Sequence, residues 1–381
     1  MHTLHLFPDF YCAVASTCAA LYMARRLLRS TSVQGSPALR ATIWSSCALL
    51  IAAFIAAWLF ASERIAAQFP VALTQFIQAF GLASGFCVVC WSVMALVAHG
   101  APPFREDRRQ VFRAAGALML ASPPVVTTFG IVTRNDFRVS EVKLAIPNLA
   151  RDLHGMRIVQ VTDVHLSTFL SEKELARAID MANGARAHLA VMTGDLITRP
   201  GDPLDACIRQ LGRLRADAGV YGCLGNHEIY CRDQDYVTTE CGRRGVRFLR
   251  SEATDLRFGN AIINLAGVDY QAMHKPYLED AAGLVANGKL NLLLSHNPDV
   301  FRTAAAQGWQ AVLAGHTHGG QVNVEILHQN MNVARFFTPW VRGAYYLPGS
   351  AIYVSSGIGT IGMPIRLGAP PEISVVELCA S

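Results

Sequence analysis

The sequence predicts a chain in two parts, with membrane-spanning helices followed by an α/β domain. The 381 residues are 52% hydrophobic and only 16% charged, whereas a typical soluble domain carries about 25% charged residues. Long uncharged runs fill the first third of the sequence, and short apolar runs alternate with amphipathic stretches after it. Because such alternation is typical of α/β layers, we assign residues 1–133 to a transmembrane region and residues 134–381 to a second domain.

Four spans are predicted in the N-terminal region: Leu4–Ala24, Thr42–Ala61, Val71–Ala98 and Ala114–Val132. The last three contain no charged residue, and each is long enough to cross about 30 Å of hydrocarbon at about 1.5 Å per residue. The first contains Asp9 and is the least apolar of the four. Buried core helices are the alternative, which three successive uncharged runs disfavour.

The arginines predict how the chain lies in the membrane. Eight arginines lie in the loops after the first and third spans and one lies after the second: Arg25, Arg26, Arg29, Arg40, Arg105, Arg108, Arg109 and Arg113 against Arg64. Because cytoplasmic loops are enriched in arginine, we expect a multi-pass protein of the inner (plasma) membrane whose second domain is extracytoplasmic.

The charge distribution also bears on partners. The first 133 residues hold nine arginines, no lysine and four acids, which accounts for the whole net charge of +5, and the other 24 basic and 24 acidic residues cancel. A domain that grips nucleic acid would carry the basic excess itself. We therefore expect a lipid bilayer as a partner and no nucleic acid.

The second domain can be divided into elements in chain order. "FRVSEVKLAI" and "MRIVQVTD" predict strands, and "SEKELARAIDMANG" predicts a helix with Ser171 as N-cap and Glu174 completing a capping box. Further strands are predicted at "AHLAVMTGD", "GVYGCLGN", "LNLLLSH", "WQAVLAGH", "AIYVSSG" and "EISVVEL", with helices at "DPLDACIRQLGRL" and "PDVFRTAAAQ". The final strands lack intervening helices, which predicts a partly antiparallel or mixed sheet.

Five of the predicted strands end in polar residues of the metal-ligand type. They deliver the motifs D-x-H, GD, GNHE, H and G-H-x-H, with Asp163, His165, Asp195, Asn226, His227, His296, His316 and His318. Ligand sites of α/β domains form beyond the carboxyl ends of strands. We therefore expect these side chains to meet at one rim of the sheets.

This ordered set resembles the calcineurin-like metallophosphoesterases over about Met156–Leu378. "GHTHGGQ" and the closing "SSGIGTIGMPIRLGAPPEISVVEL" are most similar to a membrane-associated bacterial phosphodiesterase branch. The resemblance implies a two-sheet αββα sandwich and two divalent metals. It implies that one metal is held by Asp163, His165, Asp195 and His318, and the other by Asp195, Asn226, His296 and His316.

The residue chemistry agrees with these implied ligands. Two cations about 3.5–4 Å apart need a shared anion, which Asp195 can supply through its two oxygens, and Gly194 lets the backbone approach. Mixed nitrogen and oxygen ligands suit Mn, Fe, Zn or Co better than Ca or Mg, and we favour Mn. A hydroxide bridging the metals would then attack a phosphodiester in line.

His227 has a different implied role. The resemblance makes it a residue that reaches the substrate, where it donates a proton to the leaving alkoxide. The family often pairs this histidine with an aspartate three residues after the bridging one, and here that position is Thr198. The sequence leaves open which group orients His227.

Two other functions stay open at this point. One is hydrolysis of a UDP-2,3-diacylglucosamine-type pyrophosphate of lipid A synthesis, whose substrate is made in the cytoplasm and fits the predicted orientation poorly. The other is a membrane scaffold or receptor with an inactive phosphoesterase fold, which a full ligand set disfavours. We expect an active phosphodiesterase whose phosphodiester substrate can be lipid-linked.

Overall fold

The chain divides into two units, which are described separately. The structure, a computed structural model, describes residues 6–29, 31–60, 65, 68–99, 128–272, 277–326, 329–362 and 364–381. One unit comprises Met1–Val132 with Gly362–Ile365, and the other comprises Thr133–Ile361 with Arg366–Ser381.

The first unit contains α1 (Leu6–Leu28), α2 (Thr31–Gln34), α3 (Pro37–Phe60) and α4 (Val71–His99). In the described part, two helical segments are long and apolar enough to cross a membrane, Pro37–Phe60 and Phe76–Val93. They correspond to the second and third predicted spans. Within the described residues, the structure thus supports two of the four predicted spans.

The other two predicted spans have different outcomes. The first does form a helix, α1, but it is not one of the two candidates, and its last turn carries Arg25 and Arg26. Most of the fourth, Ala114–Val132, lies outside the described residues.

Small side chains bring the three long helices together. A buried cluster joins Ala20 of α1, Phe54 of α3 and Val88 of α4. Gly81 of α4 lies against Ala57, where a Cβ atom would have no room. Small residues allow such close approach between apolar helices. Arg26 donates to the Ala95 carbonyl at 2.8 Å, which ties the polar end of α1 to α4.

The second unit is built on two six-stranded sheets. The first sheet has the order β1–β14–β2–β3–β4–β5, with strands Arg138–Ile146, Glu372–Ala380, Arg157–Val161, Leu189–Thr193, Val220–Cys223 and Val246–Phe248. β2 to β5 run parallel, and β14 runs antiparallel to β2.

The second sheet has the order β12–β13–β9–β8–β7–β6, with strands Gly343–Leu347, Ser350–Val354, Ala311–Ala314, Leu290–Leu294, Ala261–Gly267 and Glu252–Phe258. Its four central strands are parallel, and both edge strands are antiparallel to their neighbours. A separate hairpin pairs β10 (Asn323–Ile326) with β11 (Gln329–Asn332).

Three apolar layers hold this unit together. One buried cluster lies between the sheets and includes Ile158, Leu189, Leu292 and Leu313. The outer face of the first sheet is covered by α5 (Glu172–Gly184), α6 (Leu204–Leu211) and α8 (Gln234–Gly242). The outer face of the second sheet is covered by α9 (Phe301–Gln307). This is the predicted αββα sandwich with mixed sheets, and the two-sheet fold is confirmed.

Local signals explain several boundaries. Ser171 caps α5, and Glu174 closes the capping box as predicted. The short helix α7 (Asn226–Cys231) and the β6–β7 and β10–β11 pairs were not predicted. β2, β3 and β4 of the first sheet and β8 and β9 of the second all end two or three residues before a residue of the predicted site.

Candidate metal centre

The predicted residues from the five strand ends come together. Three groups have ligand atoms within 4.8 Å of one another: Asp163 with His165 and His318, His165 with Asp195 and His227, and Asp195 with His296 and His316. Shared members link the three groups into one cluster. The two sheets therefore contribute jointly to a single site.

Backbone strain is concentrated in this cluster. Asp163, His165, Asp195, His316 and His318 all have positive φ, between 46° and 76°. Left-handed backbone is uncommon for residues other than glycine, and it clusters at functional sites where the surrounding structure holds it. Five of the seven predicted ligands are thus held in conformations that the sequence did not predict.

Glycines make room for this backbone. Gly194 has φ +90°, and a Cβ atom there would overlap the backbone of Gly225. Gly315 lies against Asp163 and Thr162 and has no room for a side chain. The predicted close approach at Gly194 is thus a contact between the β3 and β4 loops.

Asp195 lies at the centre of the cluster. Its Oδ2 is 3.1 Å from Nε2 of His296 and 3.4 Å from Nε2 of His165. Its Oδ1 accepts the backbone N–H of His227 at 3.0 Å. Oδ2 is thus the oxygen of Asp195 that lies against the histidines.

The remaining ligand atoms face one another in close pairs. Nε2 of His165 is 3.1 Å from Nε2 of His318, which in turn is 3.4 Å from Oδ1 of Asp163. Nδ1 of His316 is 3.1 Å from Nε2 of His296. Buried lone pairs that converge in this way suit a cation.

Burial and neighbouring charges shift the pKa values of the aspartates and histidines in the cluster. Burial disfavours the charge on Asp195, but the charge and hydrogen bond of His296, with those of His165, outweigh it and hold the pKa well below its usual value. Burial and His296 lower the pKa of His316 to about 3. Burial and His165 hold the pKa of His318 well below its usual value. His316 and His318 are thereby held as neutral imidazoles, the form that binds metals, whereas at His296 burial is outweighed by the charge of Asp195, which raises the pKa to about 10.

Asn226 tests whether a cation fits. Its side-chain Oδ1 is buried and has no hydrogen-bond partner among the described residues. A buried polar atom without a partner costs about 1–3 kcal/mol, and coordination would remove that cost. Because amide oxygen, carboxylate and imidazole are suitable ligands for transition metals, the residues present fit the expected metals.

The match to a known family covers this cluster. Residues 156–320 match the family model described as calcineurin-like phosphoesterase, a range that contains all eight predicted site residues. The domain belongs to the calcineurin-like phosphoesterase family.

Several proteins named as metallophosphoesterases are similar to this chain over more than half of its length. The chain is 32% identical over 244 residues to an uncharacterised metallophosphoesterase of Campylobacter jejuni, covering 63% of each chain. It is 28% identical to a transmembrane protein with metallophosphoesterase domain of Bos taurus, over 71% of this chain and 61% of that protein. A third, from Aquifex aeolicus, is 29% identical over 58% of this chain and 85% of its own length. The chain therefore spans 61–63% of the first two relatives.

His227 of the phosphoesterase domain is oriented by a backbone group. Its Nδ1 donates to the Thr198 carbonyl at 2.6 Å, so Nε2 faces the cluster, 4.0 Å from Oδ2 of Asp195. The side-chain hydroxyl of Thr198 is 3.2 Å from Nδ1 of His165. Thr198 thus orients two histidines, and its carbonyl stands where the missing aspartate was expected.

The loop that carries Thr198 is fixed by Asp202. Oδ2 of Asp202 accepts the backbone N–H of Thr198 at 2.9 Å and that of Arg199 at 3.0 Å. The Arg199 N–H and the Thr198 carbonyl belong to the same peptide group. Asp202 therefore reaches His227 through one peptide plane.

Sequence reasoning missed two buried charged residues. The carboxylate of Glu228 accepts the backbone N–H groups of Asp195, Leu196 and Gly225 at 2.7–3.0 Å. Burial and the charge of Asp195 raise the pKa of Glu228. Glu228 follows His227 in the GNHE motif, which was the available signal.

The second missed residue is Arg366. It is fully buried, donates to the Ser356 and Gly357 carbonyls, and lies 3.5 Å from Nδ1 of His318.

The cluster is accessible at two histidines. His227 and His316 are half-buried, whereas the other six predicted residues are buried. The ring of Tyr230 lies 5.7 Å from that of His227, and the ring of Tyr270 lies 5.6 Å from that of His316. An aromatic ring therefore stands beside each accessible histidine.

Proposed function

We propose that this chain is a membrane-attached, metal-dependent phosphodiesterase whose centre holds two divalent cations. Asp163, His165, Asp195 and His318 would hold one, and Asp195, Asn226, His296 and His316 the other. The family supports metal-dependent hydrolysis of phosphoesters. The observation that carries the proposal is the buried, unpartnered Oδ1 of Asn226, the residue directly before His227 of the ligand cluster.

Each residue has a defined task in this proposal. The chemistry that divalent cations supply here is neutralisation of phosphoryl charge and activation of water. Asp195 would be common to both ligand sets. His227, with Nδ1–H bound to the Thr198 carbonyl, presents Nε2 as the atom that delivers a proton to the leaving oxygen.

The aromatic rings beside the two accessible histidines favour a diester over a monoester. A diester carries a second organic group besides the one that leaves. Tyr230 and Tyr270 offer ring surface beside both accessible histidines, and Tyr230 is 65% exposed. Apolar contact with that second group would stabilise a bound diester.

Two findings support attachment to a membrane. Two helical segments of the described chain are apolar and long enough to span one, and the relative from Bos taurus is named a transmembrane protein. With Ala114–Val132 as a further span, the eight arginines against one support an extracytoplasmic phosphoesterase domain in the inner membrane. We propose a phosphodiester at that surface, such as a lipid-linked one, as the substrate.

The test is hydrolysis by the purified full chain in detergent, stripped of metal and reloaded separately with Mn, Fe, Zn or Co. We expect two metals per chain, highest activity with Mn, and faster hydrolysis of bis(p-nitrophenyl) phosphate than of p-nitrophenyl phosphate. A preference for the monoester would contradict the diester assignment, and absence of hydrolysis with every metal would contradict an enzyme.

Asp195→Ala provides the matched variant. We expect it to lose hydrolysis and most of its bound metal, because both ligand sets need its carboxylate. Asp217→Ala, which removes an exposed carboxylate, should keep both. Metal content is measured by mass spectrometry, and two metals with the parent rate in Asp195→Ala would exclude the assigned centre.

A further inference from the structure

Two adjacent phenylalanines in the phosphoesterase domain are strongly exposed. Phe336 is 86% and Phe337 is 74% exposed, the two highest values among the large apolar side chains of the described residues. Arg335 beside them is also exposed. We call Arg335–Phe337 the aromatic tip. Contiguous exposed apolar surface of this kind marks an interaction site more often than isolated exposed residues do.

The chain before the aromatic tip is fixed to the loop of the metal centre. Asn332 donates from Nδ2 to the Gly319 carbonyl at 3.0 Å, and its Oδ1 accepts the Ala334 N–H at 2.8 Å. Gly320 lies so close to Asn332 that a side chain there would overlap it. Gly319 and Gly320 directly follow His318, so the tip is connected to a predicted ligand by one hydrogen bond.

The chain after the aromatic tip is fixed as well. The Thr338 hydroxyl donates to Asp299 at 2.6 Å, and the ring of Trp340 packs 5.1 Å from Phe301. The Thr317 hydroxyl donates to the Val341 carbonyl at 2.5 Å. Thr317 lies between His316 and His318, so both flanks of the tip are tied to the same G-H-x-H loop.

A rigid support for two exposed rings requires an explanation. Mobile exposed rings could turn toward the protein surface, but these flanks hold Phe336 and Phe337 outward. Phenylalanine and arginine together suit the boundary of a bilayer, where apolar rings enter the acyl region and a cation stays among anionic headgroups. The same chain contains two segments able to span a membrane.

We propose that the aromatic tip inserts into the surface of the bilayer and thereby holds the metal centre at headgroup depth. The occupant of this surface is a phospholipid bilayer, and the substrate class is a phosphodiester embedded in it. This inference rests on the proposed membrane attachment. The aromatic tip would add a second contact with the bilayer, and this contact would orient the metal centre.

The first test detects the contact itself. The full chain, carrying photoreactive benzoylphenylalanine in place of Phe336, is reconstituted in vesicles of phosphatidylethanolamine and phosphatidylglycerol and irradiated. Tyr346 of β12, which is 51% exposed, is replaced in the same way as the control. We expect phospholipid adducts by mass spectrometry at 336 and few at 346. No adduct at 336, or equal adducts at both positions, would overturn the proposal.

The second test measures the consequence for substrate. Phe336→Ser with Phe337→Ser removes the rings from an exposed position, and Tyr346→Ser is the control. We expect kcat/KM on soluble bis(p-nitrophenyl) phosphate to stay within about twofold, while hydrolysis of phosphodiester lipid in vesicles falls by about tenfold or more, since each ring loses its apolar burial.

The two substrates separate the two proposals. An equal rate on vesicle lipid in the double variant and the parent would overturn the role of the tip and leave the proposed activity intact. Absence of hydrolysis of the soluble ester in the parent would contradict the proposed activity, while the adduct at 336 still reports on the tip.

Discussion

His227 is held by a peptide carbonyl where the family often uses a carboxylate. The Thr198 carbonyl fixes the ring as the tautomer that carries its proton on Nδ1. A carbonyl is neutral, so it orients the ring without the charge that would stabilise an imidazolium. The pKa of His227 is lowered, chiefly by burial. Thr198 therefore fixes the position of the His227 ring but adds no charge beside it.

His227→Ala separates binding from proton transfer. We expect the variant to keep both metals and to lose about 10²–10⁴-fold in rate on alkyl phosphodiesters, the usual contribution of a general acid. The loss should be much smaller with a nitrophenyl leaving group, which departs without a proton. His154→Ala, outside the site, is the control.

Two outcomes would contradict this role. An equal loss on both esters would show that His227 does not act on the leaving group. Loss of one metal would show that His227 is a ligand. Metal analysis tests this directly, because the ligand atom of His227 lies close to those of His165 and Asp195.

The loops after β3 and β4 act as one element. Glu228, one residue after His227, accepts backbone N–H groups from both loops. Asp202 closes the far end of the β3 loop on the backbone of Thr198 and Arg199. Each carboxylate satisfies buried donors that would otherwise be unpaired, and together they set where Asp195 and His227 meet.

Asp202→Ala tests the far end of this element. We expect a loss of about 10–100-fold on alkyl esters, typical of groups that orient a catalytic residue, and little loss on nitrophenyl esters. Combined with His227→Ala, it should cost nothing further on alkyl esters, because both changes act through one ring. Asp205→Ala, at an exposed position in the first turn of α6, is the control. Additive losses would separate Asp202 from His227.

Glu228→Gln tests the near end. An amide presents an N–H₂ group where a backbone N–H now donates, so we expect the free energy of unfolding of the domain to fall by about 1–3 kcal/mol. Thermal unfolding of the full chain in detergent measures the change as a lower Tm. Glu279→Gln, at an exposed position, should leave Tm unchanged, and an unchanged Tm in Glu228→Gln would make its three hydrogen bonds dispensable.

The strand ends were predictable, but the contacts behind them were not. Asp163, Asp195 and His318 follow apolar runs of strand length, so their convergence could be inferred from the topology of α/β sheets. The capping box at Ser171 is a local signal and was confirmed. The Thr198 carbonyl left no signal, because every residue has a carbonyl and only the fold determines which ring it meets.

The basic excess and the long apolar segments lie in the same part of the molecule. The basic excess lies wholly in the first third, where two segments suit a bilayer, and the phosphoesterase domain is neutral overall. An extended electrostatic field is therefore not what would bring this domain to a surface. Attachment through apolar segments, with the aromatic tip as a local contact, is the alternative that the sequence and the fold support.

The side of the membrane on which the metal centre lies decides which substrates it can reach. Fusions after Ser381 test it, with alkaline phosphatase active only outside the cytoplasm and green fluorescent protein active only inside. We expect phosphatase activity without fluorescence, because the loops rich in arginine are cytoplasmic if four spans form. Fluorescence alone would mean that the predicted span after the second arginine-rich loop, Ala114–Val132, does not cross, as when only the two candidate segments Pro37–Phe60 and Phe76–Val93 span the membrane. The centre would then face cytoplasmic pools, and a nucleotide-activated lipid would replace an envelope phosphodiester as the expected substrate.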